Sequence, residues 1–359
     1  MGPRKGCLMT DKKAAVLVAG SWGTALAVVL AENGCSVTMW SRNDGQVSEI
    51  NEDRTNGRYL PGTTLPERLA ATTDMEAAVR EAELILFAAP SSAMREVAAQ
   101  AARYIKKDAL CVHAAKGFEQ VTLKRMSSVL AEELQRPEEE IVVISGPSHA
   151  EEVVRRCPTT VVVAAQSQQA AEKAQDFFIN NYFRVYTNPD VIGVEVAAAI
   201  KNIIALGAGL SDGLGFGDNA KAALLTRGLA EIGRLGSAMG ANMLTFAGLA
   251  GVGDLIVTCT SSHSRNWRAG SMLAKGMALE DVLHQMGMVV EGVRTTQAAH
   301  ALAKHYDVQM PITEQLHAVL FEGKPPKNAV ENLMGRGRTH ESEEVAKDWS
   351  PHQSRPPHI

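Results

Sequence analysis

Cysteine is scarce and unpatterned in this sequence. Cys7, Cys35, Cys111, Cys157 and Cys259 are spread along 359 residues, odd in number and without C-x-x-C spacing. Neither a disulfide framework nor a thiolate metal site is indicated, and reduced thiols are expected. Charge excess is missing too. Against 36 lysines and arginines stand 40 acidic residues, a formal −4, which gives no global attraction for nucleic acid. No uninterrupted apolar run reaches the roughly 18 residues of a membrane span. The basic stretch Met1 to Leu8 is not followed by an apolar core of signal-peptide length. No internal repeat and no metal-ligand cluster stands out. What is left is an ordinary soluble composition, 45% hydrophobic, long enough for about two domains and expected in the cytoplasm.

The chain is organised around Ala14 to Arg42. Ala14-Ala15-Val16-Leu17-Val18 reads as a strand, Ala19-Gly20-Ser21-Trp22-Gly23 as a glycine turn, and Thr24 to Leu30 as a helix. Asn33-Gly34 stops that helix, and Ser36-Val37-Thr38-Met39-Trp40 completes a βαβ unit. The amides at such a helix start point at an anion, Gly20 lets a pyrophosphate approach the backbone, and Gly23 lets helix and strand pack closely. The fingerprint G-x-G-x-x-G is incomplete, because its first glycine falls at Val18. With Gly20 and Gly23 intact, the backbone at Val18 is expected to stay in the β region, the valine extending the strand beside the pyrophosphate. After the second strand, Ser41-Arg42 offers a hydroxyl and a guanidinium, which favours NADP over NAD. The plainer alternatives are glycines needed only for packing and a solvated Arg42.

A helical segment about Gln46 to Ile50 precedes the loop Asn56 to Gly62, where Tyr59 either stacks on an adenine or covers the sheet. An alanine-rich helix is expected from Met75 to Glu83. Apolar strand runs follow at Leu84–Ala89, Ala109–Ala114, Ile141–Ser145, Thr159–Ala164 and Phe183–Tyr186, with a helix at Gln168–Phe178. Strands alternating with helices mean a parallel sheet, with ligands beyond the carboxyl ends of its strands. Those ends carry Pro90-Ser91, Lys116-Gly117 and Gly146-Pro147-Ser148. From Asp190 to about Met334 the pattern is helical. The expected class is therefore α/β, a Rossmann-like, mainly parallel sheet domain followed by an all-helical C-terminal domain. Its divisions are a tail over 1–13, a dinucleotide-binding domain over 14–189, a helical substrate domain over 190–334, and a disordered tail over 335–359, charged and holding Pro351, Pro356 and Pro357.

Val191 to Leu206 is apolar nearly all round, which marks a buried helix. Glu195, Lys201 and Asn202 inside it would cost several kcal/mol if left unpaired, by order of magnitude, so they are expected to face a polar cavity. A desolvated lysine near other cations has a lowered pKa that suits proton transfer, the alternative being a lysine that snorkels to the surface. Asp254 and Thr258, four apart, lie side by side on a helix. Ser261 to Trp267 then enters another helix, bringing hydroxyls, the Arg265 guanidinium and free amides to one N-terminus. That reads as an anion site, unless Ser264 is a bare cap and Arg265 a surface charge.

The order Gly20-Ser21-Trp22-Gly23-Thr24-Ala25-Leu26-Ala27, Tyr59-Leu60-Pro61-Gly62, Ala115-Lys116-Gly117, Ser145-Gly146-Pro147-Ser148-His149-Ala150, Ala199-Ile200-Lys201-Asn202, Gly253-Asp254-Leu255 and Ser264-Arg265-Asn266 resembles NAD(P)-dependent glycerol-3-phosphate dehydrogenase of the bacterial type. The resemblance spans roughly Ala14 to Met334. It implies reversible reduction of dihydroxyacetone phosphate to sn-glycerol 3-phosphate with NADP(H), and also NAD(H), for phospholipid synthesis. It also implies Lys201 as proton acceptor on the alcohol, with Lys116 and Asp254 as further catalytic groups. Gly146, Ser148, Asn202, Thr258, Ser264, Arg265 and Asn266 would line the substrate pocket with them. Gly20, Ser21, Trp22, Gly23, Arg42, Tyr59, Pro90, Lys116, Ala150, Arg265, Val289 and Glu291 would hold the cofactor. The implied partner is a small phosphorylated substrate, with no nucleic acid, no membrane span, and a homodimer as the assembly to consider. Rival readings are a hydroxy-acid dehydrogenase or ketopantoate-type reductase, whose anion would be a carboxylate, and a nucleotide sensor without chemistry. The Ser264-Arg265-Asn266 helix start and the Gly146-Pro147-Ser148 loop favour phosphate, and a buried Lys201 has no purpose in a sensor.

Overall fold

A computed structural model describes residues 12–337 and Glu341. Eight strands, β1 (Lys13–Leu17), β2 (Ser36–Trp40), β3 (Leu69–Thr72), β4 (Leu84–Phe87), β5 (Leu110–His113), β6 (Val142–Ser145), β7 (Thr159–Ala164) and β8 (Phe183–Asn188), form one sheet. Its order is β3-β2-β1-β4-β5-β6-β7-β8. All neighbours run parallel except β6 and β7, which are antiparallel. The helices among them are α1 (Ser21–Glu32), α2 (Asp44–Ser48), α3 (Met75–Val79), α4 (Met94–Ala102), α5 (Met126–Leu134), α6 (Ala150–Val154) and α7 (Gln168–Phe178). Alternation along β1 explains its apolar run. Ala14 and Val16 pack in one core with Leu26, Leu30 and Phe177, whereas Ala15 and Leu17 pack in another with Val79, Met94 and Val129. Strands covered on both faces must be apolar throughout.

Beyond Asn188 every described element is helical: α8 (Val191–Gly213), α9 (Gly217–Ala238), α10 (Met243–Phe246), α11 (Asp254–Thr260), α12 (Arg265–Ala274), α13 (Leu279–Met286), α14 (Glu291–His305), α15 (Pro311–Phe321) and α16 (Pro326–Met334). A π-helical turn, Leu249–Gly253, leads into α11. α8 is the axis of this region. It is long and apolar enough to cross a membrane, as is the kinked stretch Met243–Thr260, yet 94% of its most apolar window is buried within the fold. α12 crosses α8 backbone to backbone. A Cβ on Gly209 would lie 1.9 Å from the Trp267 carbonyl oxygen, and one on Gly270 would lie 2.0 Å from the Leu206 carbonyl oxygen. Only glycine permits that approach.

Several boundaries differ from the sequence expectations. Lys13 belongs to β1 rather than to a tail. β3 was not foreseen, because Leu69-Ala70-Ala71-Thr72 is short and alanine is a weak strand former. It sits at the sheet edge, where the Asn51 amide pairs with both Ala71 N–H and Ala71 C=O at 2.8 and 2.9 Å. The alanine-rich helix ends at Val79, not Glu83. By Glu83 the chain has already joined the sheet, its N–H donating to the Lys13 carbonyl at 2.8 Å. The disordered-tail reading of 335–359 falls, apart from residues 335–337 and Glu341, outside the described residues, as does Cys7.

Candidate active site

The turn between β1 and α1 reverses tightly without the first glycine of the fingerprint. Val18 has φ 81°, so its backbone does not stay in the β region as the sequence suggested. The chain must reverse there: Val18 N–H still donates to the Trp40 carbonyl at 3.0 Å, while its carbonyl turns toward α1. A Cβ on Gly23 would lie 2.6 Å from that Val18 oxygen, so the close packing expected of Gly23 is present. The Val18 side chain packs half-buried against the core that holds Leu17, Trp40 and Phe87. A β-branched residue in this conformation carries strain of about 1–3 kcal/mol.

Two residues that the sequence reading did not single out brace the turn. Asn56, fully buried, donates to the Ala19 carbonyl at 3.1 Å and to Thr24 Oγ1 at 2.8 Å. Gln46 donates to the same carbonyl at 2.8 Å and to Asn56 Oδ1 at 3.0 Å, and accepts from Ser41 Oγ at 2.6 Å. Ser41 therefore points inward instead of outward to a ligand. Arg42 is exposed, stacked over Trp40 and paired with Glu96 at 2.9 Å. Ser21 Oγ donates to the Tyr59 carbonyl at 2.9 Å, tying the Tyr59 loop to the helix start.

The turn fits a dinucleotide. No atom lies within 4 Å of a Cβ built on Gly20, the start of α1 has no side-chain cap, and the buried Trp22 indole N–H has no hydrogen-bond partner. Space and the uncapped first amides of α1 thus meet at a helix N-terminus, where a pyrophosphate is stabilised by amides and dipole together.

Across the carboxyl ends of β4, β5 and β6 lies the centre of the site. The Lys116 loop after β5 reaches α11, and α8 brings Lys201 to the same place. Asp254 Oδ1 accepts from Lys201 Nζ at 2.7 Å and Oδ2 accepts from Lys116 Nζ at 2.9 Å. Thr258, one turn after Asp254, donates to the Asp254 carbonyl at 2.6 Å and accepts from Lys201 Nζ at 2.6 Å. Lys201 and Asp254 are buried, whereas Lys116 keeps one-fifth of its side chain exposed. Burial pushes the Lys201 ammonium down to about 8; Asp254 opposes the shift and Lys116 adds to it. Burial would raise the Asp254 carboxyl, but the Lys116 and Lys201 ammoniums outweigh it and hold it below its ordinary value. The result is a lysine able to exchange a proton near neutral pH.

A second set of contacts forms the rim. Asn266 donates to Asn202 Oδ1 at 2.9 Å and accepts from Gly292 N–H at 2.9 Å. Ser264 caps α12 by accepting from Trp267 N–H at 3.2 Å, and Arg265 donates to the Val289 carbonyl at 3.0 Å. Glu291, at the start of α14, accepts from the Ser91 amide and hydroxyl at 3.2 and 2.9 Å, so it lies beside Pro90. A Cβ on Gly117 would lie 3.3 Å from the same carboxylate. Gly146, at φ 131°, turns the chain out of β6; Ser148 Oγ donates back to the Gly146 carbonyl at 2.9 Å, and Ala150 opens α6.

Glu195 does not share the cavity of Lys201. The residues are six apart, which places them on different faces of α8, and Glu195 is engaged by Arg125 and Ser127 beneath the sheet ends. A separate apolar cavity of about 460 Å³, lined by Leu210, Leu224, Ile312 and Leu316 among others, lies between α8, α9, α15 and α16 and contains none of these polar residues.

Fold and site define a dinucleotide-dependent dehydrogenase whose sheet and buried helix each supply one lysine to a common carboxylate. Family models described as the NAD-dependent glycerol-3-phosphate dehydrogenase N-terminus and C-terminus match residues 13–171 and 190–331. Glycerol-3-phosphate dehydrogenase [NAD(P)+] of Bacillus subtilis is 59% identical over 339 residues, covering 94% of this chain and 98% of that one. The enzyme of the same name from Geobacillus thermodenitrificans is 60% identical over 331 residues, covering 92% and 96%. The crystal structure of glycerol-3-phosphate dehydrogenase from Coxiella burnetii superposes with a TM-score of 0.87 at 41% identity, over 91% of this chain and 99% of that one. The chain belongs to the NAD-dependent glycerol-3-phosphate dehydrogenase family.

Proposed function

We propose that the protein reversibly reduces dihydroxyacetone phosphate to sn-glycerol 3-phosphate with NADPH or NADH, supplying glycerol phosphate for phospholipid synthesis. The observation that carries this reading is the Asp254 carboxylate shared by Lys116 and Lys201, beside the uncommitted helix start at Gly20. The nicotinamide, when bound, supplies a hydride to the carbonyl carbon of the substrate. As negative charge grows on the carbonyl oxygen, Lys201 gives its proton to that oxygen, and in the reverse direction it takes the proton back. Lys116 adds positive charge to the same region. Asp254 and Thr258 fix the Lys201 ammonium so that little reorganisation is needed.

For the substrate phosphate we assign the start of α12, where Arg265 and the Ser264 cap meet the first amides of a ten-residue helix. Asn202 and Asn266 orient each other beneath it, and Gly146 and Ser148 close the other side. The dinucleotide is assigned to Gly20, Ser21, Trp22, Gly23, Tyr59, Pro90, Ala150, Val289 and Glu291, with Arg42 facing the adenosine ribose. In this reading residues 14–189 bind the dinucleotide and 190–334 the substrate. The unpaired thiols of Cys35, Cys111, Cys157 and Cys259 support a reducing cytoplasm.

The test is NADPH oxidation against a panel of phosphorylated and carboxylated ketones. Turnover of dihydroxyacetone phosphate is expected; turnover confined to carboxylated ketones would replace this reading with a hydroxy-acid dehydrogenase.

A further inference from the structure

Lys116 is carried on the connection from β5 to α5, and both ends of that connection meet one carboxylate. His113, the last residue of β5, places Nε2 3.1 Å from Glu195 Oε1, a close contact that falls short of a well-aligned hydrogen bond. At the other end Ser127 N–H donates to Glu195 Oε1 at 2.8 Å, Ser127 Oγ donates to Oε2 at 2.6 Å, and Arg125 Nη1 donates to Oε2 at 2.6 Å. Arg125 is itself held by Glu138. Between the ends, Phe118 is buried in the core of the helical region and bridges to Arg125.

Glu195 lies on the helix that carries Lys201. Six residues of α-helix separate the two by about 9 Å along the axis. We propose that Glu195 is a positioning residue, a clasp that gathers both ends of the Lys116 loop onto α8 and so sets the placement of Lys116 relative to Lys201. The inference rests on the reading above, in which those lysines carry the chemistry.

A buried carboxylate among apolar neighbours is costly unless several donors hold it. Here a backbone amide, a hydroxyl and a guanidinium do so. Burial alone would raise the Glu195 carboxyl, but His113 first, then Arg125 and the Ser127 hydroxyl, outweigh it and draw it down to about 2. None of these donors reaches Asp254 or Lys201, so the network acts on the site only by fixing backbone. The titratable groups that bear on Lys201 itself are Asp254 of α11 and Lys116 of the loop, which carry charge, and the Cys259 thiol of α11 and the His149 ring at the start of α6, both of which burial keeps neutral. Among them the clasp governs Lys116.

The consequence is specific. Lys116 lowers the pKa of Lys201 by like-charge repulsion, so a slack loop should let that pKa rise. In Glu195→Gln, kcat for glycerol 3-phosphate oxidation is expected to fall about 10- to 100-fold, the scale of a small misplacement. The alkaline-going limb of its pH profile should move up by about half a unit. NADPH affinity, measured by fluorescence, should stay within about twofold and report the competent fraction, because the Gly20 turn and Arg42 are untouched. Ser127→Ala removes the hydroxyl's bond to Glu195 and the one it accepts from Arg125, and leaves the Arg125 and amide contacts to Glu195 itself; it decides the matter if Glu195→Gln does not fold, and should shift the limb the same way by less. A limb that stays in place in the folded variants, whatever the change in kcat, overturns the proposal. Lys201→Ala separates the two readings. Full turnover in that variant removes the lysine chemistry itself, whereas its loss with an unmoved Glu195→Gln limb refutes the clasp alone.

Discussion

Lys116 and Lys201 are held by opposite oxygens of one carboxylate, at 2.9 and 2.7 Å. One comes from the loop after a sheet strand and the other from the helical region, so Asp254 joins the two regions. Removing the exchanging lysine should be the most damaging single change. Lys201→Ala is expected to lower kcat by about 10²-fold or more with dinucleotide binding largely kept, as read by steady-state kinetics beside a fluorescence titration.

The pH dependence has a sign that differs with direction. Lys201 must be neutral to accept a proton from the alcohol, so glycerol 3-phosphate oxidation should rise as pH increases through about 8. It must be protonated to donate, so ketone reduction should fall through the same range. Profiles of kcat in both directions check this; parallel profiles would assign the limb to another group.

Arg265→Ala should raise KM for the phosphorylated ketone more than it lowers kcat, because it removes a charged hydrogen bond worth about 1.5–3 kcal/mol. Inorganic phosphate, used as a competitor, should inhibit the variant less than the parent. Equal inhibition of both would move the phosphate elsewhere.

Arg42 is shared with Glu96 across an exposed pair, a contact worth about 0–1 kcal/mol and therefore easily exchanged for a ribose phosphate. Arg42→Ala should weaken NADPH by about tenfold or more and leave NADH nearly unchanged. Glu96→Gln should favour NADPH slightly. Dissociation constants for both dinucleotides test the pair, and equal losses for both would reduce Arg42 to a support for its loop.

With Val18 at φ 81°, Val18→Gly should relieve about 1–3 kcal/mol of strain and lose about 0.4–1 kcal/mol to a freer unfolded chain. A higher Tm is the expected outcome. An unchanged or lower Tm would show that the side chain's packing against the Leu17 core outweighs the strain.

How legible the site was depended on whether its logic was local. Lys201 and Asn202 stood out because they interrupt an apolar helix, and Asp254 with Thr258 because four residues make one helical turn. The partner of a buried charge is not local. Glu195 carried the same signal as Lys201, but His113 and Arg125, which answer it, are distant in sequence, and the sequence reading put Glu195 in the wrong cavity. Gln46 and Asn56 gave no signal, since a polar residue in a loop looks solvated until the fold closes over it. At Val18 residue preference argued for extended backbone, and the geometry of the turn overrode it. β3 was missed for the opposite reason: its pairing with β2 and with the Asn51 side chain supplies what its four residues do not.

The glycine crossing of α8 and α12 turns the site into a ruler. With Gly209 and Gly270 bringing the two backbones into contact, neither helix can slide or roll without collision. Lys201 on one and the Ser264-Arg265 start of the other therefore stand at a fixed interval. With proton exchange and phosphate assigned to those two points as proposed, a substrate is measured from its phosphate to its carbonyl, and a ketone with one more carbon between them is expected to bind at one mark and miss the other.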